Sequence, residues 1–251
     1  MNQVTSNATT PQPSRSRTAR RRTWLAASIA LAVLGLLAVV SLHDGSRQGA
    51  PAGGAATADA AADSVAAARL GAARRIPGDP FALGALTAPV VVAEWGDFQC
   101  PFCRAFDQDT QPALTSQYVA AGQVRFEWHD LPKIGAESVL AARAARAAGR
   151  QGAFWPFHDT LYHDQAVENS GALTEGSLTA KARALGLDTD RFDRDLADPT
   201  IASQVDQDQH EAARLGITHV PSFLVNGGAL FGAQPLATFR QAIDAALAGA
   251  H

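Results

Sequence analysis

The chain has 251 residues and a formal net charge of −3, but its first 75 residues differ in composition from the rest. From residue 76 onward, 12 Lys and Arg stand against 21 Asp and Glu, and this negative charge excludes nucleic acid as the expected partner. About 176 residues can bury a core without disulfide staples, so the two cysteines are not needed for stability.

Five arginines precede residue 23, and an uncharged run of 19 residues, Trp24 to Leu42, follows them. As a helix this run would be about 28 Å long, close to the hydrocarbon thickness of a bilayer. The positive-inside rule then keeps the arginines in the cytoplasm. We therefore predict a cytoplasmic basic tail over residues 1–23 and a transmembrane signal anchor over 24–42, with the rest of the chain extracytoplasmic. The excess of Arg over Lys favours a bacterial source.

The main alternative to an anchor is a cleaved signal peptide, whose apolar region is typically about 7 to 15 residues long. The run here is longer, although the small residues Ala50-Pro51-Ala52 leave cleavage open. Residues 43–78 are rich in Ala, Gly and small polar residues, which cannot bury enough apolar surface to order the chain. They predict a flexible tether, with partial helix over 55–73 as an alternative.

The remaining chain alternates between strand and helix patterns. Residues 89–95 predict a buried strand, 104–119 a helix kinked at Pro112, and 124–128 a second strand. The next block is helical, with helices over 137–149, 155–162, 173–185, 190–196 and 201–215. A hairpin (222–225, Asn226-Gly227, 229–231) and a helix over about 235–247 end the chain. This order predicts an α/β fold over 79–251 with an all-helical insertion at about 135–215.

The two cysteines lie in Cys100-Pro101-Phe102-Cys103, directly after the first predicted strand. In the first turn of a helix, free backbone N–H groups and the positive helix end favour a thiolate at Cys100. Such a thiolate attacks a disulfide, and Cys103 then resolves the mixed disulfide. The motif beside a βαβ pattern therefore indicates a redox centre.

Three other roles for the cysteine pair are weaker. A structural disulfide this short removes little entropy from the unfolded chain. Zinc needs about four ligands, and the sequence has no second Cys-X-X-Cys or paired-His motif, so we predict no metal. Inert thiols are unusual in exported proteins. We expect no cofactor beyond a Cys100–Cys103 disulfide, a packing role for His158, and a plain loop position for Asp97.

The sequence resembles the DsbA-like thioredoxin-domain family in two segments, 96–103 (GDFQCPFC) and 216–227 (GITHVPSFLVNG). The resemblance covers roughly residues 79–247 and implies a thioredoxin-like fold in which a helical insertion is standard. It also implies a cis peptide bond before Pro221, with Val220 and Pro221 binding substrate backbone beside the cysteines.

The same resemblance assigns a proton-transfer role to Glu94, since thioredoxin-like proteins often place a buried acid there. An outward-pointing Glu94 is the alternative. Pro101 and Phe102 are expected to tune the redox potential, and Phe102 replaces the histidine of the best-known oxidases. We expect His219 to restore part of the lost positive field if it faces Cys100; a solvent-facing His219 is the alternative.

These features predict a protein thiol–disulfide oxidoreductase, anchored in a bacterial membrane, that introduces disulfides into exported proteins. A membrane redox partner would reoxidise it, and the lack of a dimerisation segment favours a monomer. A reductase or isomerase using the same site is the nearest alternative. A peptide-binding chaperone with incidental cysteines is the alternative from another class.

Overall fold

The computed structural model describes residues 53–250 and the side chains from residue 62 onward. The predicted basic tail and membrane anchor lie outside these residues. Within the described part of the chain, no helix is both long enough and apolar enough to cross a membrane.

The described residues form a five-stranded mixed sheet in the order β1-β3-β2-β4-β5. The strands are β1 (Ala82–Leu83), β2 (Val90–Gly96), β3 (Val124–Asp130), β4 (Ser222–Val225) and β5 (Gly228–Phe231). β2 and β3 are parallel, and the other neighbouring pairs are antiparallel. This is the predicted thioredoxin-like α/β arrangement, with β1 as a short edge strand that the sequence pattern did not reveal.

Helices cover the sheet and form the insertion. In chain order they are α1 (Gly53–Leu70), α2 (Pro101–Asp109), α3 (Gln111–Leu114), a π-helical turn (Thr115–Val119), α4 (Ala136–Gly149), α5 (Phe154–His163), α6 (Glu175–Ala184), α7 (Thr189–Ala197), α8 (Pro199–Arg214) and α9 (Leu236–Ala248). Helices α4 to α8 are the predicted all-helical insertion, and their bounds agree with the prediction to within a few residues.

The helix predicted over 104–119 is divided into three segments. It starts earlier, at Pro101, because Pro is favoured in the first turn, where its missing N–H is not needed. It breaks at Thr110 (φ −117°), and Pro112 lies in the first turn of α3. The break therefore comes just before the predicted kink, since Pro cannot donate the helical hydrogen bond.

β2 is buried over its whole length and separates two cores. One face, with Val90 and Val92, packs against Phe106 of α2 and Phe239 of α9. The opposite face, with Trp95, packs against the segment that follows α8. Apolar residues of the insertion form a third core that includes Cys100 and Cys103. The cysteine pair thus lies where the insertion meets the sheet.

The prediction of a flexible tether over 43–78 is wrong for its last residues. The backbone N–H groups of Arg74 and Arg75 donate to the Glu127 carboxylate at 2.7 and 2.9 Å. Arg125, also buried, donates to Glu127 and to the carbonyl of Ile76. The composition argument considered only apolar burial, whereas this segment is held by polar contacts to β3.

An ionic cluster connects this segment to the insertion and consists of Arg74, Asp130, Arg146, Asp208 and Glu211. Arg74 contacts Asp208 and Glu211 at 2.5 Å each. Arg146 pairs with both Asp130 and Asp208. Asp208 is 3% exposed, so its charge depends on these arginines for compensation.

Replacement of Asp208 by Ala should destabilise the protein by about 3 kcal/mol or more, because it leaves two arginines without their shared carboxylate. Asp206→Ala, on the exposed side of the same helix, is the matched control and should cost less than about 0.5 kcal/mol. Urea unfolding of both variants measures the difference. Equal midpoints for the two variants would show that the ionic cluster does not stabilise the fold.

Candidate active site

Cys100 is the N-cap residue of α2, and Pro101 is the first residue of the helix. The backbone N–H of Cys103 donates to the sulfur of Cys100 at 3.4 Å. Both cysteines are free thiols, and Cys100 is 4% exposed while Cys103 is fully buried. The helix terminus therefore directs its unpaired N–H groups at Cys100, as the sequence predicted.

The two thiols differ in acidity for physical reasons that act in opposite directions. A hydrogen bond from the Cys103 thiol lowers the pKa of Cys100 to about 7, assisted by the backbone N–H groups of Cys103 and Phe102 and opposed by burial. Burial, followed by the interaction with Cys100, raises the pKa of Cys103 well above its ordinary value. The site thus presents one nucleophile and one thiol that stays protonated.

The peptide bond between Val220 and Pro221 is cis, which confirms the expectation from the family resemblance. Trp95 of β2 pairs with Ser222 of β4, so the residues before β4 lie at the end of the sheet where β2 leads to the cysteines. The Cys100 thiol donates to the Val220 carbonyl at 3.7 Å. Val220 and Pro221 therefore adjoin the reactive sulfur.

Glu94 is 3% exposed, so it does not point outward. It follows Val90 and Val92 at alternate positions of β2, on the face that packs against α2. Burial, with repulsion from Asp107 and Cys100, raises the pKa of Glu94 well above its ordinary value. Beside the two cysteines, the carboxyl therefore keeps its proton to higher pH than an ordinary glutamate does.

His219 and Phe102 lie at the surface of the site. His219 is exposed, and its Nδ1 contacts the hydroxyl of Thr218 at 2.8 Å. Phe102 is 65% exposed, and it acts on Cys100 through its backbone N–H. The fold thus brings Cys100, Glu94 and the cis peptide bond together. The ring of His219 is exposed, and its Nδ1 is paired with the Thr218 hydroxyl.

The expectation that Asp97 is a plain loop acid is wrong. Asp97 is 1% exposed, and its carboxylate accepts four hydrogen bonds. The donors are the backbone N–H groups of Gln99, Lys133 and Ile134 and the hydroxyl of Ser138. Its own carbonyl accepts from the N–H of Cys100 at 3.0 Å. Asp97 thus fixes the loop that carries Cys100.

Two further side chains secure this loop with hydrogen bonds: Tyr162 of α5, and Gln165 just after the end of α5. Gln165 donates to the carbonyls of Phe98 and Cys100 at 2.9 and 3.1 Å, and the Tyr162 hydroxyl donates to the Asp97 carbonyl at 3.2 Å. No local pattern indicates these roles, because the partners lie more than 60 residues away in the chain. His158 is buried in the insertion, as predicted.

Two groups of His and carboxylate side chains among the described residues come close enough together to suggest a metal ion. In the first, His129 adjoins Asp208 and Glu211, whose charges Arg74 already compensates. The second contains His158, whose Nδ1 is hydrogen-bonded to a carboxylate and is not a free ligand. We therefore assign no metal to either group.

Comparison with known proteins identifies the family. A family model described as "Thioredoxin" matches residues 77–245. "Probable disulfide bond formation protein D" of Bacillus cereus is 36% identical over 149 residues, which cover 58% of this chain and 69% of that protein. "Na(+)/H(+) antiporter NhaA 1" of Salinispora arenicola is 35% identical over 179 residues, which cover 69% of this chain but only 26% of the antiporter. The chain thus spans about a quarter of that relative.

Solved structures agree with the family model. Oxidised BdbD from Bacillus subtilis has a TM-score of 0.64 and 28% identity, covering 67% of this chain and 93% of that one. A thioredoxin-like oxidoreductase from Silicibacter pomeroyi has a TM-score of 0.58 and 30% identity, covering 71% and 95%. The chain therefore belongs to the DsbA-like family of thiol–disulfide oxidoreductases with a thioredoxin fold.

Proposed function

We propose that this protein introduces disulfide bonds into exported proteins through the Cys100–Cys103 couple. The observation that carries disulfide exchange at this couple, in either direction, is the opposite shift of the two thiol pKa values beside the cis peptide bond. A relative named for disulfide bond formation supports the oxidative direction. The uncharged segment 24–42 would hold the domain on the outer side of the membrane, close to a partner that reoxidises it.

The reaction begins with the disulfide form of the couple. A substrate thiolate attacks the sulfur of Cys100, the sulfur–sulfur bond breaks, and Cys103 leaves as a thiolate that takes up one proton. A second thiolate of the substrate then attacks the substrate sulfur of the mixed disulfide. This forms the substrate disulfide and releases Cys100 as a thiolate. Two electrons pass from the substrate to the couple. Cys100 is suited to leave because its thiolate is stabilised near neutral pH.

The substrate would bind as an extended segment along Val220. The backbone of this residue adjoins the Cys100 sulfur, so strand-like pairing would place a substrate cysteine at the site without requiring a particular sequence. Phe102 offers an exposed apolar surface next to the cysteines. These features suit partly folded proteins, which still expose apolar side chains and backbone groups.

Reduction or isomerisation of exported proteins is a second candidate, and the acidity of Cys100 favours it. A pKa of about 7 is close to the thioredoxin value of about 7 and far from the DsbA value of about 3.5. A less stabilised thiolate makes the disulfide form less oxidising. The two candidates therefore differ in redox potential and not in the residues they use.

The reduction potential of the couple, measured by equilibration with glutathione, discriminates between them. An oxidase requires a value closer to about −120 mV than to about −270 mV, which are typical of DsbA and thioredoxin. Phe102→His should shift the potential to a less negative value, because a histidine there stabilises the Cys100 thiolate. A wild-type value near −270 mV would contradict the oxidase and support a reductase.

Glu94→Gln should change both stability and rate. Folding raises the pKa of Glu94 above its ordinary value of 4.5, so the wild type loses stability as pH rises from about 4.5 towards the raised value. The variant lacks this loss, so its free energy of unfolding relative to wild type should increase between pH 4 and pH 8. Without the carboxyl, resolution by Cys103 should slow on the order of 100-fold.

Glu168→Gln, at an exposed position, is the control and should follow the wild type at every pH. Urea unfolding across the pH range measures stability, and release of a peptide from its mixed disulfide with Cys100 measures resolution. A pH-independent difference between Glu94→Gln and wild type, together with an unchanged rate, would remove Glu94 from the mechanism.

A further inference from the structure

The proton that Cys103 takes up or releases needs a route to solvent, since Cys103 and Glu94 are both buried. Asp107 lies one helical turn after Cys103 on α2, so the two side chains share a face of the helix. Glu94 lies on the face of β2 that packs against α2, the helix that carries Asp107, and the charge of Asp107 helps to raise the pKa of Glu94. Asp107 therefore lies on the helix that covers Glu94, one turn farther from Cys100 than Cys103 is.

Beyond Asp107 lies a groove of about 980 Å³ between α2, α3 and α5. Asp107 and Asp159 both line it, together with Trp155 and His163. Asp159 is exposed, with 67% of its side chain accessible. Asp107 thus connects the buried acid on one side with an open, water-accessible surface on the other.

The ring of His158, on α5, contacts the carboxylates of both Asp107 and Asp159. Its Nδ1 lies 3.5 Å from Asp107 Oδ1 and 2.9 Å from Asp159 Oδ1. Its Nε2 is buried without a hydrogen-bond partner among the described residues, and the imidazole ring packs edge-to-face with Phe98 and Trp128. A hydrogen on Nε2 would be left without an acceptor, so Nδ1 carries the hydrogen and donates it to Asp159, with the Asp107 carboxylate as the more distant neighbour.

We propose that Asp107 relays protons between Glu94 and the groove, and that His158 is the positioning residue that orients its carboxylate. The proposal rests on the function proposed above, in which Glu94 exchanges a proton with Cys103. Asp107 does not touch the reacting sulfurs and acts only through Glu94. Besides Cys103, only Glu94 and Asp107 change their protonation state in this relay.

The steps balance in both directions. When Cys103 leaves the disulfide as a thiolate, Glu94 gives it a proton, Asp107 reprotonates Glu94, and water in the groove reprotonates Asp107. When Cys103 resolves a mixed disulfide, its proton passes to Glu94, then to Asp107 and then to water. The Cys103 thiolate forms the new bond to the Cys100 sulfur, and the substrate leaves as a thiolate.

The charges around Asp107 suit this role. The groups that face it are Glu94 from β2 and His158, Asp159 and His163 from α5. Burial raises the pKa of Asp107 to about 6, His158 opposes the increase, and Asp159 adds to it. An acid with a pKa near the working pH both accepts and releases protons readily.

The groups that face Glu94 complete the route at its inner end. They are Cys100, Cys103 and Asp107 from α2 and Tyr162 from α5. Burial, with the neighbouring Cys103, keeps the pKa of Tyr162 well above its ordinary value, so Tyr162 stays neutral. The Asp107 carboxyl is therefore the titratable neighbour of Glu94 that reaches the groove.

Asp107→Asn tests the relay in the mixed-disulfide assay. Resolution by Cys103 should slow about tenfold in dilute buffer, lose the inflection near pH 6 and recover as imidazole is added to carry the proton. Asp109→Asn, at an exposed position of the same helix, should match the wild type, and Asp107→Glu should restore the rate. A rate in Asp107→Asn that equals the Asp109→Asn rate, with the inflection retained, would overturn the proposal.

Asp159→Asn is a second test at an exposed position, where folding is not at risk. It removes a charge that raises the pKa of Asp107, so the inflection should move to lower pH while Asp107 still relays. An inflection that does not move contradicts the relay. Slow resolution in Glu94→Gln with normal resolution in Asp107→Asn refutes the relay alone, whereas normal resolution in both refutes the proton-transfer role of Glu94.

Discussion

The sulfur of Cys100 is held at the amino-terminal end of α2, where the thiol and the backbone N–H of Cys103 both hydrogen-bond to it. This interaction separates the acidities of two side chains that lie three residues apart. One sulfur becomes a thiolate near neutral pH, and the other keeps its proton. This difference makes Cys100 the nucleophile. It also means that Cys103 must lose its proton before it can resolve a mixed disulfide, and Glu94 is the acceptor proposed for that proton.

The position of the helix end depends in turn on polar contacts from outside α2. The Asp97 carboxylate joins the loop before Cys100 to the start of α4, and Gln165 holds the carbonyl of Cys100 itself. Gly96 permits the approach of Trp128, because a Cβ at Gly96 would lie 2.2 Å from that ring. The insertion therefore acts as the support that fixes the cysteine loop against the sheet.

The sequence predicts most of the fold because its signals are local. The apolar run at 89–95 gave β2, and Asn226-Gly227 gave the hairpin, where both residues have the positive φ that such a turn requires. The cysteine motif identified the redox site, and the family resemblance located the cis peptide bond. Helical periodicity gave every helix of the insertion within a few residues.

What the sequence could not predict depends on partners that are distant in the chain. In the sequence, Asp97 has no feature that separates it from other loop acids. Its hydrogen-bond partners lie near Ser138, some 40 positions further along the chain. The sequence around Arg74 is typical of a tether, but Arg74 is hydrogen-bonded to Glu127 and Asp208 in the fold. Asp107 and His158 meet only because α5 packs against α2. None of these pairs follows a spacing rule, since each joins separate elements of the fold.

A titration of the reduced protein measures the separation of the two thiol acidities directly. Labelling the cysteine Cβ atoms with carbon-13 lets each thiol be followed by NMR from pH 5 to pH 10. The Cys100 resonance should shift with a midpoint near pH 7, while the Cys103 resonance should stay constant beyond pH 9. Two resonances that shift together near the ordinary cysteine value would contradict this separation.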